Sequence, residues 1–297
     1  MQKVLVIVGP TAIGKTSFSI DLATKYNGEI ISGDSVQIYR GFDIGSGKIK
    51  EEEKRGIKHY LIDERNYDED YTVADFQKEA RKLITKINEE GKLAMIVGGT
   101  GLYIKATLYD YAFNEESEED DQYLEYSNEE LYEKLKEIDP EALEKIHVNN
   151  RKRLVRALNI YEKTKLKMSD NIKAQNHEML YDALIIGLTD DRDKVYERIN
   201  RRVDMMFNEG LEEEVKDLID NGVSFSDKPM SAIGYKQFED YFKGEIDLER
   251  VKELIKRDSR RFAKRQYTWF NHQTPIDWYN IHNLDEAIKD IDRWLHE

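Results

Sequence analysis

The first hundred residues alternate between short apolar runs and amphipathic stretches. Residues 3–8 (Lys-Val-Leu-Val-Ile-Val) form a continuous run rich in β-branched side chains, the pattern of a strand buried on both faces of a parallel sheet. Residues 17–26 follow, with Phe18, Ile20, Leu22 and Ala23 as the apolar positions of a helix. Residues 29–33 read as a second strand, 73–87 as a helix, 88–92 as a turn and 93–97 as a third strand. Strand and helix in turn is the rhythm of βαβ units. From about residue 110 to 176 the strand signal fades. Leu131, Leu135 and Ile138 are spaced for one helix there, Leu154, Leu158 and Tyr161 for another, and Asp139-Pro140 starts a turn between them. The strand pattern returns at 183–188. Residues 190–220 then read as a helical region interrupted at Gly210, with Val195, Ile199, Val203, Met206, Leu211, Val215 and Leu218 as its apolar stripe. The expected fold class is α/β, with a parallel sheet flanked by helices. A core segment (1–110) is followed by a small all-helical insertion (111–176), then by a core continuation with C-terminal helices (177–297).

The loop after the first strand adds chemistry to this frame. Gly9-Pro10-Thr11-Ala12-Ile13-Gly14-Lys15-Thr16 matches the phosphate-loop pattern in full, between a strand and a helix as the motif requires. Gly9 and Gly14 let backbone N–H groups turn inward around an oxyanion. The helix N-terminus adds its dipole, Lys15 supplies positive charge and Thr16 is placed to hold magnesium. The sheet is therefore expected to be P-loop NTPase-like, binding a phosphate or diphosphate through Gly9, Thr11, Ala12, Gly14, Lys15 and Thr16.

Two further strand ends carry polar residues. The second runs into Asp34-Ser35-Val36-Gln37-Ile38-Tyr39-Arg40, and the carboxyl ends of strands line the ligand crevice of an open α/β sheet. A carboxylate at Asp34 suits magnesium coordination or acceptance of a proton from a nucleophile; the plainer reading is a helix N-cap. The amide of Gln37 suits a base edge. The third strand ends in Gly98-Gly99-Thr100-Gly101, with no aspartate where a standard ATPase carries a second magnesium carboxylate. Its glycines suit close approach of a ligand to backbone, with the Thr100 hydroxyl in the crevice, or simply tight packing.

Charge narrows the partner. The chain of 297 residues has a net charge of −14, yet its charge is uneven. Residues 115–121 hold six acids, 151–167 hold seven bases and one acid, and 256–265 hold six bases and one acid. Local potential steers a charged partner more than the total does. Arg151, Lys152, Arg153 and Arg156 lie at the start of a predicted helix, where cations oppose the dipole, so a polyanion is an attractive reason for them. Arg192, Arg198, Arg201 and Arg202 surround another helix, from which an arginine clamp on phosphates can reach back. Residues 260–270 interleave bases with aromatics, suited to phosphates and nucleobases or, for Trp269 and Phe270, to a helix core. With no cysteine, disulfides, thiolate metal sites and a cysteine nucleophile are excluded. No apolar run is long enough to span a membrane, and the opening residues lack a signal-peptide layout. A cytosolic enzyme is expected.

Taken in order, these blocks resemble the tRNA dimethylallyltransferases, the bacterial tRNA isopentenyltransferase (IPP transferase) family. The blocks are 9–16, 34–39, 98–103 and 153–158; then Gly187-Leu188, Asp191-Arg192, Tyr196, Arg198-Ile199, Arg202-Val203-Asp204 and Met206; and finally 232–237 and 263–269. The resemblance spans almost the whole chain. It implies a P-loop core whose helical insertion contacts the anticodon stem-loop of tRNA. It also implies transfer of a dimethylallyl group from dimethylallyl diphosphate to the exocyclic N6 amine of adenosine 37, in tRNAs reading codons that begin with U, with magnesium assisting. By this resemblance Asp34 is the general base or orienter of the amine and Thr100 touches the target adenosine. Asp34, Ser35, Val36 and Gln37, with Lys152, Arg153, Leu154, Val155 and Arg156, are the tRNA-contacting stretches. Arg198 and Arg202 are candidates for an arginine clamp on the diphosphate, and a monomer is implied. The sequence departs from the family at Ile13, where serine is common, in the acidic segment 111–127, and at Val148, where proline is usual. The competing readings are a small-molecule kinase using ATP and a non-catalytic P-loop RNA-binding module.

Overall fold

Val4 to Val8 are wholly buried, and their unbroken apolar run gives β1 (Lys3–Val8) a central place in the sheet. In this computed structural model residues 1–111, 113, 121–174 and 178–297 are described; most of the acidic run, residues 115–120, lies outside them. After β1 come α1 (Lys15–Tyr26), β2 (Gly28–Ser32), β3 (His59–Tyr60), α2 (Val73–Glu89), β4 (Leu93–Val97) and α3 (Gly101–Leu108). Next are α4 (Asn128–Ile138), α5 (Arg151–Thr164) and α6 (Met168–Ala174). The chain continues with β5 (Asp182–Thr189), α7 (Arg192–Asn208), α8 (Leu211–Asp220), α9 (Glu239–Phe242), α10 (Leu248–Gln273), β6 (Asp277–Asn280) and α11 (Leu284–His296). The six strands are all parallel, in the order β3-β2-β4-β1-β5-β6. The short outer strands β3 and β6 went unrecognised in the sequence, because neither carries a long apolar run.

Local rules account for the elements that were legible. Thr72 and Asp75 form a reciprocal cap at the start of α2, and Phe76, Ala80, Ile84 and Ile87 bury one face of it. Ser127 and Glu130 cap α4 in the same way. Asn27, in the left-handed region, ends α1 and turns the chain into β2.

The chain divides into two compact units, Met1–Leu108 with Met179–Glu297, and Tyr109–Glu178. The first contains the sheet and packs Leu5, Ile7, Phe18, Leu22, Met95, Ile186, Val195 and Ile291 into its core. The second is helical and has its own core of Leu131, Leu135, Ile146, Leu154, Ala157 and Leu158. Burying each leucine contributes about 1.5–3 kcal/mol. Among the described residues no helix is long and apolar enough to cross a membrane.

Candidate active site

Register sets which residues can meet. Ile7 pairs with Val97, Val8 with Gly187 and Ser32 with Val97, so β1, β2, β4 and β5 end level with one another. The phosphate loop, Asp34, Gly98 to Thr100 and Asp190 therefore emerge along one edge of the sheet, the carboxyl edge where open α/β folds bind ligands.

Gly9 adopts φ +150° and Gly14 φ +102°, and a Cβ on Gly9 would fall 2.7 Å from the Leu188 carbonyl oxygen. The loop thus needs glycine at both positions. Ile13, where this chain departs from the family pattern, is buried. Gly14 leads directly into α1, whose first-turn amides have no partner within the helix and so face an incoming anion. Lys15 Nζ donates to the carbonyls of Gly9 (3.0 Å) and Pro10 (2.9 Å). Burial and the nearby charge of Arg202 lower its pKa to about 8, against the opposing pull of Asp34. Thr16 is exposed at the helix start.

Asp34 caps no helix. Its Oδ1 accepts from the Val36 amide at 2.8 Å and, at 3.4 Å, from that of Gln37, an Asx turn that fixes the carboxylate beside Lys15 and Arg202. Ser35 and Val36 are half-buried in the same turn. Gln37 is engaged within the protein: its Oε1 accepts from Ser32 Oγ, and its Nε2 lies 3.4 and 3.3 Å from the Ser46 and Gly47 carbonyls. The Thr100 amide donates to the Gly33 carbonyl, which ties the start of α3 to the residue before Asp34.

The glycines after β4 have specific packing partners. A Cβ on Gly98 would overlap the Gly33 backbone, one on Gly99 the Gln266 amide, and one on Gly101 the Trp269 ring. Gln266 Nε2 donates to the Gly99 carbonyl at 3.0 Å. Gln266 and Trp269 of α10 thus pack over the 98–101 loop. Phe270 is fully buried as expected, whereas Trp269 is half-buried and covers Gly101. Sequence reading missed these partners because nothing local signals a pairing between positions 167 apart.

The two candidate arginines separate clearly. Arg198 Nε lies 3.5 Å from the buried carboxylate of Asp190 and its side chain is 40% exposed. Burial pushes the Asp190 carboxyl up, but the Asp191 amide and the charges of His282, Lys194 and Arg198 outweigh it and hold its pKa below the usual range. Arg202 instead packs against Gly47, where a Cβ would overlap its guanidinium. Its Nε is enclosed and has no hydrogen-bond partner. Burial lowers its pKa, against the pull of Asp34, Glu209 and Glu53. An enclosed guanidinium with an unused N–H beside a P-loop lysine is a ready anion clamp.

In the helical unit, Lys152, Arg153 and Arg156 are exposed on α5 and Val155 is half-buried. Leu154 corrects the sequence expectation of an RNA contact: its side chain is fully buried among Leu131, Leu135 and Leu158. Arg151 donates to the Tyr123, Leu124 and Tyr126 carbonyls and to Asn128, so its place at a helix start is explained internally.

A parallel sheet with a phosphate loop, an enclosed arginine and a carboxylate on its carboxyl edge defines a P-loop protein that handles a phosphorylated substrate. The chain belongs to the IPP transferase family, whose model matches residues 37–273. It is 48% identical over 301 residues to the tRNA dimethylallyltransferase of Bacillus cereus (strain AH187), covering 99% of this chain and 94% of that one. The crystal structure of the tRNA delta(2)-isopentenylpyrophosphate transferase from Staphylococcus epidermidis superimposes with a TM-score of 0.75 at 42% identity, covering 99% of both chains. A eukaryotic dimethylallyltransferase acting on tRNA superimposes with a TM-score of 0.83 at 29% identity, over 96% of this chain and 76% of the other.

Proposed function

We propose that the protein transfers a dimethylallyl group from dimethylallyl diphosphate to the N6 amine of adenosine 37 in tRNAs reading codons that begin with U. The observation that carries this reading is the convergence of Lys15, Asp34 and Arg202 around one anion-binding loop. The loop amides, Lys15 and Arg202 hold the diphosphate and stabilise its charge as it leaves. The N6 lone pair attacks C1 of the dimethylallyl group, a C–N bond forms, and the C–O bond to diphosphate breaks. The displaced amine proton passes to the Asp34 carboxylate, whose Oδ1 is oriented by the Val36 amide. Thr100 contacts the adenosine from the end of the neighbouring strand, and the adenosine leaves its loop stack to reach it.

Among the described residues no cluster of three metal-binding side chains occurs. Magnesium still fits, since it is usually held by one or two protein oxygens together with substrate phosphates and water. Thr16 would hold it, and the ion would neutralise charge on the leaving diphosphate. Lys152, Arg153 and Arg156 contact RNA phosphates. A cytoplasmic monomer suits this activity.

The test is transfer of labelled dimethylallyl diphosphate to unmodified tRNA, with Asp34→Ala as the control. Label should enter the wild-type reaction only when adenosine is at position 37, and Asp34→Ala should slow it by about 10²–10⁴-fold. No transfer by folded protein that binds the tRNA would sink the reading and point to ATP as the P-loop ligand.

A further inference from the structure

Glu214, in the first turn of α8, makes an unusual set of contacts. Its Oε1 accepts from the Gly45 amide (3.0 Å) and the Tyr235 hydroxyl (2.8 Å), and its Oε2 from the amides of Ile44 (2.6 Å) and Asp43 (3.1 Å). The Tyr235 oxygen in turn accepts from the Ser46 amide at 3.1 Å. Four consecutive amides of one surface segment are therefore fastened by two side chains some 170 and 190 positions away. The packing is equally specific. The Tyr235 ring is wholly buried against Gly45, where a Cβ would overlap it, and a Cβ on Gly234 would lie 3.0 Å from the Gly45 carbonyl oxygen. The next residue, Gly47, has φ +62° and meets the Arg202 guanidinium.

We propose that Glu214 and Tyr235 are positioning residues for the diphosphate clamp: by fixing segment 43–47 they hold Gly47 as the wall that keeps Arg202 turned toward Lys15 and Asp34. The inference rests on the reading of Arg202 as the clamp. The chemistry demands a carboxylate at 214, because both its oxygens are already met by N–H or O–H donors. A carboxamide there would set its own N–H groups against backbone N–H groups. Burial pushes the Glu214 carboxyl up, and the Ile44 and Gly45 amides and the Tyr235 hydroxyl oppose that rise.

The experiment is calorimetric binding of inorganic diphosphate with magnesium, which needs neither tRNA nor turnover. It compares wild type with Glu214→Gln, Tyr235→Phe and Arg202→Ala, and with each of the first two combined with Arg202→Ala. Tyr235→Phe keeps the buried ring and removes only the hydroxyl, so it reports even where Glu214→Gln fails to fold. Each single change at 214 or 235 should weaken diphosphate binding about tenfold, and by less than about twofold in the Arg202→Ala background. In turnover, the same variants should raise KM for dimethylallyl diphosphate and leave KM for tRNA unchanged. Wild-type affinity in folded Tyr235→Phe, or an equal loss with and without Arg202, overturns the inference alone. Unchanged binding in Arg202→Ala overturns the clamp reading and the inference together.

Discussion

Lys15 illustrates how much one residue's surroundings decide. Its ammonium is held near pKa 8 by burial and by Arg202, so it is largely neutral above that pH and charged below it. A bound diphosphate favours the charged form and raises the pKa. Diphosphate binding at pH 9 should therefore take up a proton, seen as a buffer-dependent binding enthalpy, and at pH 6.5 this uptake should vanish. Lys15→Met should remove the uptake at pH 9. Affinity should fall as pH rises through 8, by up to about tenfold per unit. The glycines give a second residue-scale expectation. Gly98→Ala sets a Cβ into the Gly33 backbone, which cannot yield as a side chain does. We expect a loss of about 1–3 kcal/mol or more in denaturant unfolding, with weaker binding at the displaced Asp34 turn. The need for glycine in the phosphate loop was legible from its motif. The need at Gly98 and Gly101 was not, because the obstructing atoms belong to Gly33 and Trp269.

At the scale of elements, α5 carries two faces with opposite duties. Leu154, Ala157 and Leu158 point into the helical core, and Lys152, Arg153 and Arg156 point to solvent. Leu154→Ala should destabilise the unit by about 2–5 kcal/mol, measured by denaturant unfolding. Replacing Lys152, Arg153 and Arg156 together with alanine should leave that stability within about 0.5 kcal/mol of wild type. The same triple change should weaken tRNA binding and lower the slope of log affinity against log salt by about 2–3. The helix itself was legible because its period of 3.6 is local. Its role at Leu154 was misread because a motif block names consecutive residues, whereas a helix turns each by about 100° and sends neighbours to different faces.

In the proposed reading, the anion site draws on segments distant in sequence: 9–16, 34–47 and Arg202 of α7. Saturating magnesium diphosphate should therefore slow amide exchange in residues 11–16 and 43–48 together, read by hydrogen exchange. Stability should rise by about 2.7 kcal/mol at a hundred times Kd. Protection confined to 11–16 would show that the 43–47 segment takes no part.

The amino-acid sequence alone determined the alternation of strands and helices, the phosphate loop and the helical character of the middle segment. Each depends on spacing within a few residues, and periodicity and glycine placement act at that range. Only the tertiary structure decided that Arg202 packs against Gly47 while Arg198 meets Asp190, that Asp34 closes an Asx turn rather than a helix cap, that Gln266 and Trp269 pack on the 98–101 loop, and that Glu214 and Tyr235 hold segment 43–46. Those outcomes depend on the level ends of four parallel strands and on contacts between positions up to about 190 apart. A guanidinium on a helix reads the same in sequence whether it meets Asp190 or Gly47; the packing of α7 against the sheet makes the choice.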